Sequence, residues 1–364
     1  MMPRLTNLFR RGSRAAAPVL GLAALTLVIG AGVIAQPASA GVTPGCQWQT
    51  LNLINGWRSD QSQYNSGDPS YCVSSGTVYL SGSMSQPVNG STEFAVLPQE
   101  AWPTRPLYLD TYTFNGANGT IRIEPDGVMF AYNGAASSYT SLAGISFLQA
   151  DAATPLILDN GWQSSQGAYG TGDPSFSYSY GTVYLSGSLF HSTSDWGPFA
   201  VLPQGARPAD AMTIKVYSYF GAAGTLFIYP DGEMWAEGGS TAQFTSLAGI
   251  SFPSAAVNAQ QLTPLNSWTP PQTYAATAPS WYVSNGVVHL FGSLYTTGTS
   301  PEFAVLPQAL WPTHTLYLIA NYDNAPTAYL QINPDGTMYA FGLPPGHSAG
   351  DVFEIDGIAY HGGS

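Results

Sequence analysis

The sequence has 364 residues, of which 21 are acidic and nine are Lys or Arg, which gives a formal net charge of −12. A chain this acidic offers no electrostatic footprint for nucleic acid or for an anionic membrane surface, so we expect neither as a partner. Charged residues are only 8% of the chain, so Ser, Thr, Asn, Gln, Gly and Tyr must cover the surface, as is common in extracellular β proteins.

The first forty residues have the pattern of a secretory signal peptide. Four arginines precede an apolar stretch at roughly 15–35, and the sequence PASA ends at Ala40. A charged start, an apolar middle and a small-residue cleavage site are typical of such a signal, and a membrane anchor is the alternative. We expect an exported chain that begins at Gly41. That chain has five basic and 21 acidic residues, a net charge of −16, and no further segment long enough to span a membrane.

The two cysteines, Cys46 and Cys72, lie close to this start. An exported chain meets oxidising conditions, so we expect them to form a disulfide. The positions equivalent to Cys72 in the later repeats are Ser177 and Tyr282. The bridge is therefore expected to fasten the N-terminal lead rather than to belong to a repeated fold.

Three repeats of about 105 residues follow. GTVYLSGS occurs twice and GVVHLFGS once, at 76–83, 181–188 and 286–293. FAVLPQ occurs three times, at 94–99, 199–204 and 303–308. A period of this length is the size of an independent domain and too long for a solenoid unit. We therefore expect three domains, repeat 1 (41–150), repeat 2 (151–256) and repeat 3 (257–364).

Each repeat is predicted to be all-β. Apolar residues alternate with period two, as along strands with one buried face. In repeat 1 the inward residues of one strand are Val78 and Leu80, and the equivalent residues stay apolar in the other repeats. The triplet PDG, at 125–127, 230–232 and 334–336, predicts a hairpin turn with a glycine bulge. Its aspartates, Asp126, Asp231 and Asp335, are expected to serve the turn.

The order of motifs in each repeat is an opening Trp, a GxVxLxGS strand, an FAxLPxxxRP loop and an IxIxPDGxM hairpin. It resembles the β-sandwich repeats of phage tail-tip and receptor-binding proteins and of some bacterial secreted proteins. FAVLPQGARP at 199–208 matches that family's Leu-Pro…Arg-Pro loop best, whereas Trp102 and Trp311 replace the arginine in the other repeats. The resemblance implies jelly-roll-like sandwiches, commonly homotrimeric, that contact cell-surface saccharides. It transfers no catalytic residue.

A triplicated trimeric domain could form its trimer within one chain. We therefore expect three tandem jelly-roll-like sandwiches arranged as a monomer with internal pseudo-threefold symmetry. Three separate domains on short linkers are the alternative.

The sequence has no recognisable catalytic or metal-binding motif. The five histidines have no second ligand at a known spacing. There is neither a G-x-S-x-G elbow nor a P-loop. Glycoside hydrolysis usually needs two carboxylates, yet only the turn aspartate recurs in all repeats. We expect no cofactor, no metal and no catalysis, with a polysaccharide-acting enzyme kept as an alternative.

Aromatic residues give the stronger signal. One aromatic follows each PDG turn on the face opposite a methionine: Phe130, Trp235 and Tyr339. Sugar rings stack well on aromatic faces, so these are candidate ligand contacts, and packing at an interface is the alternative. Four further candidates are Tyr112 and Tyr217 on an outward strand face, and Trp102 and Trp311 in the Pro-bounded loops.

These features predict a secreted, non-catalytic protein that recognises glycans or cell-envelope polymers through three related domains, with multivalent engagement as one mode. A structural or protein-interaction component of an extracellular assembly, with another protein as partner, is the alternative. Repeat 3 is apolar at three positions that are polar in repeat 1, which predicts a differently buried face; the pairs are Val287/Thr77, Phe291/Ser81 and Ile319/Asp110.

Overall fold

Antiparallel β-strands make up most of the described chain. The computed structural model describes residues 46–87, 90–152, 154–193, 196–271, 277–322, 327–344 and 351–362. The predicted signal peptide and its cleavage site lie outside these residues. The residues from Gly41 to Ser364 form one compact unit, so the division into three separate domains stays a prediction.

The strands recur in the same order in each repeat. Repeat 1 contains β1 (Gln49–Thr50), β2 (Arg58–Ser59), β3 (Ser70–Ser74), β4 (Thr77–Ser81), β5 (Ser83–Ser85), β6 (Glu93–Val96), β7 (Leu107–Thr113), β8 (Ala117–Ile123), β9 (Val128–Tyr132), β10 (Thr140–Ser141) and β11 (Ser146–Leu148). Repeat 2 contains β12 (Thr154–Pro155), β13 (Trp162–Ser164), β14 (Ser175–Ser179), β15 (Thr182–Ser186), β16 (Ser188–His191), β17 (Ala200–Val201), β18 (Met212–Tyr217), β19 (Ala223–Ile228), β20 (Glu233–Glu237), β21 (Thr245–Ser246) and β22 (Ser251–Pro253).

Repeat 3 contains β23 (Gln260–Gln261), β24 (Trp268–Thr269), β25 (Ser280–Ser284), β26 (Val287–Phe291), β27 (Ser293–Thr296), β28 (Glu302–Val305), β29 (Leu316–Ile319), β30 (Asn321–Tyr322), β31 (Tyr329–Ile332), β32 (Thr337–Phe341), β33 (Phe353–Glu354) and β34 (Ile358–His361). The helices are single turns: α1 (Gln61–Tyr64), α2 (Gln166–Tyr169), and 3-10 turns at Gln99–Ala101, Phe114–Gly116, Gln204–Ala206, Tyr219–Gly221 and Gln308–Leu310. None of the helices in the described part of the chain has the length and hydrophobicity that a membrane crossing requires.

Each repeat has two layers of antiparallel sheet. The first layer is four-stranded, in the orders β1-β3-β4-β11, β12-β14-β15-β22 and β23-β25-β26-β34. The second layer of repeat 1 is one sheet, β2-β5-β10-β7-β8-β9-β6. In repeats 2 and 3 it divides into β13-β16-β21 with β17-β20-β19-β18, and β24-β27-β33-β30 with β28-β32-β31-β29. The predicted all-β class is confirmed.

Each repeat encloses its own hydrophobic cluster between the layers. The opening tryptophans are 3–5% exposed, and each indole N–H donates to a backbone carbonyl; the bonds are Trp57 to Ser91, Trp162 to Gly197 and Trp268 to Ser300. The phenylalanine of each FAV strand is fully buried beside them: Phe94, Phe199 and Phe303. A buried Phe→Ala change typically costs about 3–5 kcal/mol. Packing therefore explains why this phenylalanine recurs at the same place in each repeat.

The PDG triplet forms the predicted bulged turn. The Gly127 N–H donates to the Glu124 carbonyl and the Glu124 N–H donates to the Val128 carbonyl, both at 2.9 Å. Gly127 has a φ of +83°, which other residues rarely adopt. The carboxylate of Asp126 accepts the Val128 N–H at 3.3 Å, and Asp231 and Asp335 accept equivalent bonds at 3.1 Å. The turn role predicted for these aspartates is confirmed.

The repeats interlock in cyclic order through three glycines. A Cβ at each of them would lie less than 3.0 Å from an aliphatic side chain of another repeat; the pairs are Gly144 with Leu318, Gly249 with Leu109 and Gly357 with Ile214. Repeat 1 thus packs on repeat 3, repeat 2 on repeat 1, and repeat 3 on repeat 2. This closed order is the contact pattern that an internal pseudo-threefold arrangement requires.

The contact between repeats 3 and 2 contains a buried carboxylate. Asp356 stands where repeats 1 and 2 have Ala143 and Ala248. One carboxylate oxygen accepts the N–H of Thr213 in repeat 2 at 2.8 Å, and the other accepts the N–H of Gly292 at 2.7 Å. Burial raises the pKa of Asp356 to about 7, against the opposing effect of these two bonds.

The apolar residues predicted to mark a different face of repeat 3 do lie at junctions. Val287 is 1% exposed and packs with Cys72 and Tyr79 of repeat 1. Phe291 is 8% exposed and belongs to the hydrophobic cluster of repeat 2. The expected difference in burial is wrong, because Thr77 and Ser81 of repeat 1 are buried to the same degree, at 6% and 3% exposed. What differs in repeat 3 is the chemistry of the buried face, which is apolar at these two positions.

The predicted disulfide is present. Cys46 and Cys72 are bonded, with their Cα atoms 5.7 Å apart. Beside the bridge, the ring of Trp48 meets that of His361 in repeat 3 edge-on, with the centroids 6.0 Å apart. The bridge therefore fastens the N-terminal lead at the place where repeat 1 meets repeat 3.

His289 is buried without a hydrogen bond to Nε2. It is 3% exposed, and its ring stacks on that of Tyr282 with the centroids 4.5 Å apart and the planes 9° apart. Burial lowers the pKa of His289 to about 3. The folded protein therefore keeps this ring neutral at pH values where the unfolded chain protonates it.

We expect His289 to destabilise the fold as the pH falls from about 6.5 towards 3. In this range the histidine of the unfolded chain, with a pKa of about 6.5, binds a proton that His289 does not bind in the folded chain. The free energy of unfolding then falls by up to about 1.4 kcal/mol per pH unit. His289→Tyr introduces the residue that repeats 1 and 2 have at this position, Tyr79 and Tyr184. It should remove the part of the pH dependence of stability that His289 causes. Urea unfolding of both forms at pH 7 and pH 5 measures it. A stability difference that does not change with pH would contradict the assignment.

Candidate functional site

The three aromatics after the PDG turns lie at equivalent places and have different neighbours. Phe130, Trp235 and Tyr339 are each half-buried, on β9, β20 and β32. The guanidinium carbon of Arg122 lies 5.8 Å from the Phe130 ring centroid. The Trp235 N–H donates to Glu233 Oε2 at 3.2 Å, and Tyr339 stacks on Phe341 at 5.9 Å. Their role as ligand contacts stays a prediction.

Trp102 and Trp311 cover the PDG turns. Each indole N–H donates to the carbonyl of the LPQ leucine, at 2.7 Å to Leu97 and 2.8 Å to Leu306. In repeat 2 the Nε–H of Arg207 makes the same bond to Leu202 at 2.9 Å. The Trp and Arg residues thus share one structural task, a planar N–H donor over the turn. This task accounts for both tryptophans without a ligand.

Tyr112 and Tyr217 point away from the core of their own repeat but are not exposed. They are 6% and 7% exposed because a neighbouring repeat covers them. Tyr112 stacks on Tyr317 of repeat 3, with the centroids 5.6 Å apart. Tyr217 meets Tyr108 of repeat 1 at 5.4 Å. Of the seven sequence candidates, Tyr217 is the one that lines the cleft described next.

An aromatic cleft of about 500 Å³ lies at the junction of repeats 1 and 2. Both repeats contribute strand and turn residues, and seven of the nine side chains are aromatic: Tyr108, Arg122, Tyr132, Asn133, Tyr169, Tyr217, Tyr219, Phe220 and Phe244. The volume is in the usual range for small-molecule sites. We call this group of residues the aromatic cleft.

The floor of the cleft is a packed set of rings. Phe244 lies 5.5 Å from Tyr108, 5.8 Å from Tyr217 and 4.8 Å from Tyr169, centroid to centroid, in edge-on geometry. Edge-to-face contacts of this kind are favourable between aromatic rings and hold them in fixed positions. Burial raises the pKa of Tyr132 to about 12, so its hydroxyl is a neutral donor and acceptor at ordinary pH.

Arg122 supplies the positive charge of the cleft. It is one of five basic residues after position 40. Its guanidinium carbon lies 5.5 Å from the Tyr108 centroid, and its side chain forms an ion pair with Glu124. The Arg122 side chain stays 39% exposed. The site therefore offers aromatic faces, phenol hydroxyls and one guanidinium whose charge is partly balanced.

Phe220 is the most unusual residue of the cleft. It is 79% exposed and has a φ of +57°, a conformation that costs about 1–2 kcal/mol for most L residues. Asn115 occupies the equivalent place in repeat 1 with a φ of +59°, and Asn tolerates this region well. The Phe220 ring contacts that of Tyr219, with the centroids 4.2 Å apart, so the strained turn holds an exposed ring beside the other rings of the cleft. Backbone strain of this kind is often found at functional positions.

A smaller cavity of about 100 Å³ lies where the three repeats meet. Three equivalent positions line it: Asp110, Lys215 and Ile319. Burial raises the pKa of Asp110 and lowers that of Lys215, and each charge opposes the shift of the other. Asn118 donates to Asp110 at 3.1 Å and to the Gly221 carbonyl at 3.2 Å. Asp110 of repeat 1 and Lys215 of repeat 2 thus attract each other across the junction of these repeats. A cavity of this volume is too small for a sugar.

No group of three or more His, Cys, Asp or Glu side chains in the described part of the chain could hold a metal ion.

Sequence reasoning missed most of the cleft. The cleft residues absent from the sequence candidates are Tyr108, Arg122, Tyr132, Asn133, Tyr169, Tyr219, Phe220 and Phe244. They come from two different repeats, and the cleft forms only where those repeats meet. One signal was available: repeat 2 has Phe220 where repeat 1 has Asn115.

A crystal structure of the BP39L lectin from Burkholderia pseudomallei aligns with 82% of this chain and 83% of its own, with 12% identity and a TM-score of 0.14. A score this low supports no argument on fold or function. No family model and no curated protein matches the sequence. The resemblance to phage tail-tip repeats stays a prediction.

We expect Phe220→Asn to stabilise the protein by about 1 kcal/mol, because Asn relieves the backbone strain and exposes less apolar surface. Tyr180 is a matched control: it is 77% exposed with a φ of +48°, and it lies on a hairpin turn outside the cleft. Tyr180→Asn, which copies Asn285 of repeat 3, should stabilise by a similar amount. Urea unfolding measures both changes. A destabilising Phe220→Asn would show that the ring has a packing role.

Proposed function

We propose that this protein is a secreted, non-catalytic binding protein that recognises a glycan or cell-envelope polymer through the aromatic cleft. The observation that carries the proposal is Phe220, an exposed ring on a strained backbone at the rim of a cleft lined with other rings. A protein gains from such an arrangement when a bound molecule covers the ring.

The chemistry of the cleft suits a pyranose. The apolar C–H faces of a sugar ring stack on aromatic rings, and its hydroxyl groups need donors and acceptors at the edge. Tyrosine rings supply both, and Asn133 and Arg122 line the same cleft. A partly balanced guanidinium also accommodates a carboxylate on the sugar. The volume of about 500 Å³ admits a short segment of a chain rather than an extended polymer.

Secretion and the lack of catalysis belong to the same proposal. The first forty residues have the signal-peptide pattern, and the Cys46–Cys72 bridge suits an oxidising compartment. The cleft itself has no carboxylate among its lining residues, whereas glycoside hydrolysis usually uses a pair. Recognition without bond cleavage therefore fits its residues best.

We expect the protein to be a monomer. The interlocking faces of the three repeats, at Gly144, Gly249 and Gly357, are covered by one another. A second chain therefore finds no copy of this face to bind. Sedimentation equilibrium of the purified protein should give the mass of a single chain. A trimer mass would contradict the expectation.

The binding experiment uses a panel of neutral and acidic oligosaccharides together with isolated bacterial cell walls. We expect saturable binding by the wild-type protein. Phe220→Asn should weaken it about tenfold, because the loss of one stacking ring costs about 1.4 kcal/mol. Tyr180→Asn should bind like the wild type, since it relieves a similar backbone strain without touching the cleft.

Trp235→Ala separates the aromatic cleft from the hairpin face predicted from the sequence. If Trp235→Ala abolishes binding and Phe220→Asn does not, the site lies beside the PDG hairpin and the cleft proposal is wrong. If a well-folded wild-type protein binds nothing on the panel, the interpretation as an extracellular structural or protein-interaction component replaces glycan recognition.

A further inference from the structure

The junction of repeats 3 and 1 is built on the same aromatic floor as the cleft. Four pairs of equivalent ring contacts agree within 0.2 Å between the two junctions: Tyr108–Tyr217 at 5.4 Å with Tyr317–Tyr112 at 5.6 Å, Tyr108–Phe244 at 5.5 Å with Tyr317–Tyr139 at 5.6 Å, Tyr169–Phe244 at 4.8 Å with Tyr64–Tyr139 at 4.7 Å, and Tyr217–Phe244 at 5.8 Å with Tyr112–Tyr139 at 5.7 Å.

One further ring lies on this second floor. The Tyr329 ring centroid is 4.7 Å from that of Tyr112 and 5.3 Å from that of Phe341. Phe341 is the equivalent of Tyr132, a lining residue of the cleft. Tyr329 therefore occupies the space that remains open between the corresponding residues of repeats 1 and 2.

The residues of repeat 1 explain why the cleft is open. Thr120 is the equivalent of Tyr329, and its hydroxyl accepts a hydrogen bond from Asn133 Nδ2 at 3.0 Å. Repeat 3 has Gly342 in place of Asn133. The pair Thr120 and Asn133 thus leaves the floor uncovered, and the pair Tyr329 and Gly342 places a ring over it.

We propose that the junction of repeats 3 and 1 is a second copy of the aromatic cleft, closed by the Tyr329 ring, so that the described residues of these two junctions present one open cleft rather than two. The closure is a matter of geometry alone. Only the nature of the bound molecule, a pyranose-containing glycan, rests on the proposed function. Gln331 and Asn115 replace Arg122 and Phe220 in the second copy, so an opened site would bind a glycan more weakly than the first and would favour neutral over carboxylated sugars.

The test counts sites with 8-anilinonaphthalene-1-sulfonate, whose aromatic rings report on aromatic clefts whatever the natural glycan is. Calorimetric titration of the wild-type protein should give one site per chain. Tyr329→Thr should give two sites. Thr120→Tyr combined with Asn133→Gly, which copies repeat 3 into repeat 1, should give none. All three changes together should restore a single site. Thermal melting before each titration confirms that the variant is folded.

The same titrations with the best oligosaccharide of the panel separate the two proposals. Two dye sites in Tyr329→Thr without any glycan binding would support the closed second cleft and reject the proposed function. One dye site in a folded Tyr329→Thr protein would overturn the inference. Unchanged dye binding after Thr120→Tyr with Asn133→Gly would overturn it as well, because the added ring would then not close the cleft.

Discussion

The structure depends on the close approach of one glycine in each repeat to an aliphatic side chain of another repeat. Gly144, Gly249 and Gly357 have φ values of +74° to +78°, and a Cβ at any of them would overlap the neighbour. The residue is thus required twice, by backbone conformation and by space. Since the three contacts follow one another in cyclic order, each repeat packs one face on the next repeat and another on the previous one. The junction tyrosines, the buried charges and the aromatic cleft all lie on these surfaces.

Near-symmetry of this kind gains from being built in a single chain. A homotrimer places the same residue three times around its axis, so an ionised residue there meets two like charges. Here the equivalent positions are Asp110, Lys215 and Ile319, an acid, a base and an aliphatic side chain. The same freedom lets Tyr329 cover one junction while Thr120 leaves another open. Triplication preserves the packing and releases individual positions for different tasks.

The sequence allowed prediction of whatever depends on local pattern. The alternation of apolar residues predicts the strands, and the PDG triplet predicts the bulged turn. The oxidising conditions that an exported chain meets predict the Cys46–Cys72 disulfide. The binding surface was harder, because outward-pointing aromatics look the same in sequence whether solvent or another repeat covers them. Tyr112 and Tyr217 are buried for that reason. The hydrogen bonds of Trp102 and Trp311 are not predictable either, because their partner, the leucine carbonyl over the turn, is a backbone atom that no sequence pattern displays. The strain at Phe220 depends on its positive φ, which no sequence pattern specifies.

The position of the disulfide follows from the cyclic order. The linker near residue 150 joins repeats 1 and 2, and that near residue 257 joins repeats 2 and 3, so the polypeptide itself holds those junctions. The third junction, between repeats 3 and 1, has no linker. There the Cys46–Cys72 bridge packs with Tyr79 of repeat 1 and with Val287 and Ala359 of repeat 3. A bridge that closes a loop of this size typically contributes about 3 kcal/mol. It fixes the N-terminal lead, and with it the apolar contacts of Trp48, at the one junction that the chain does not tether.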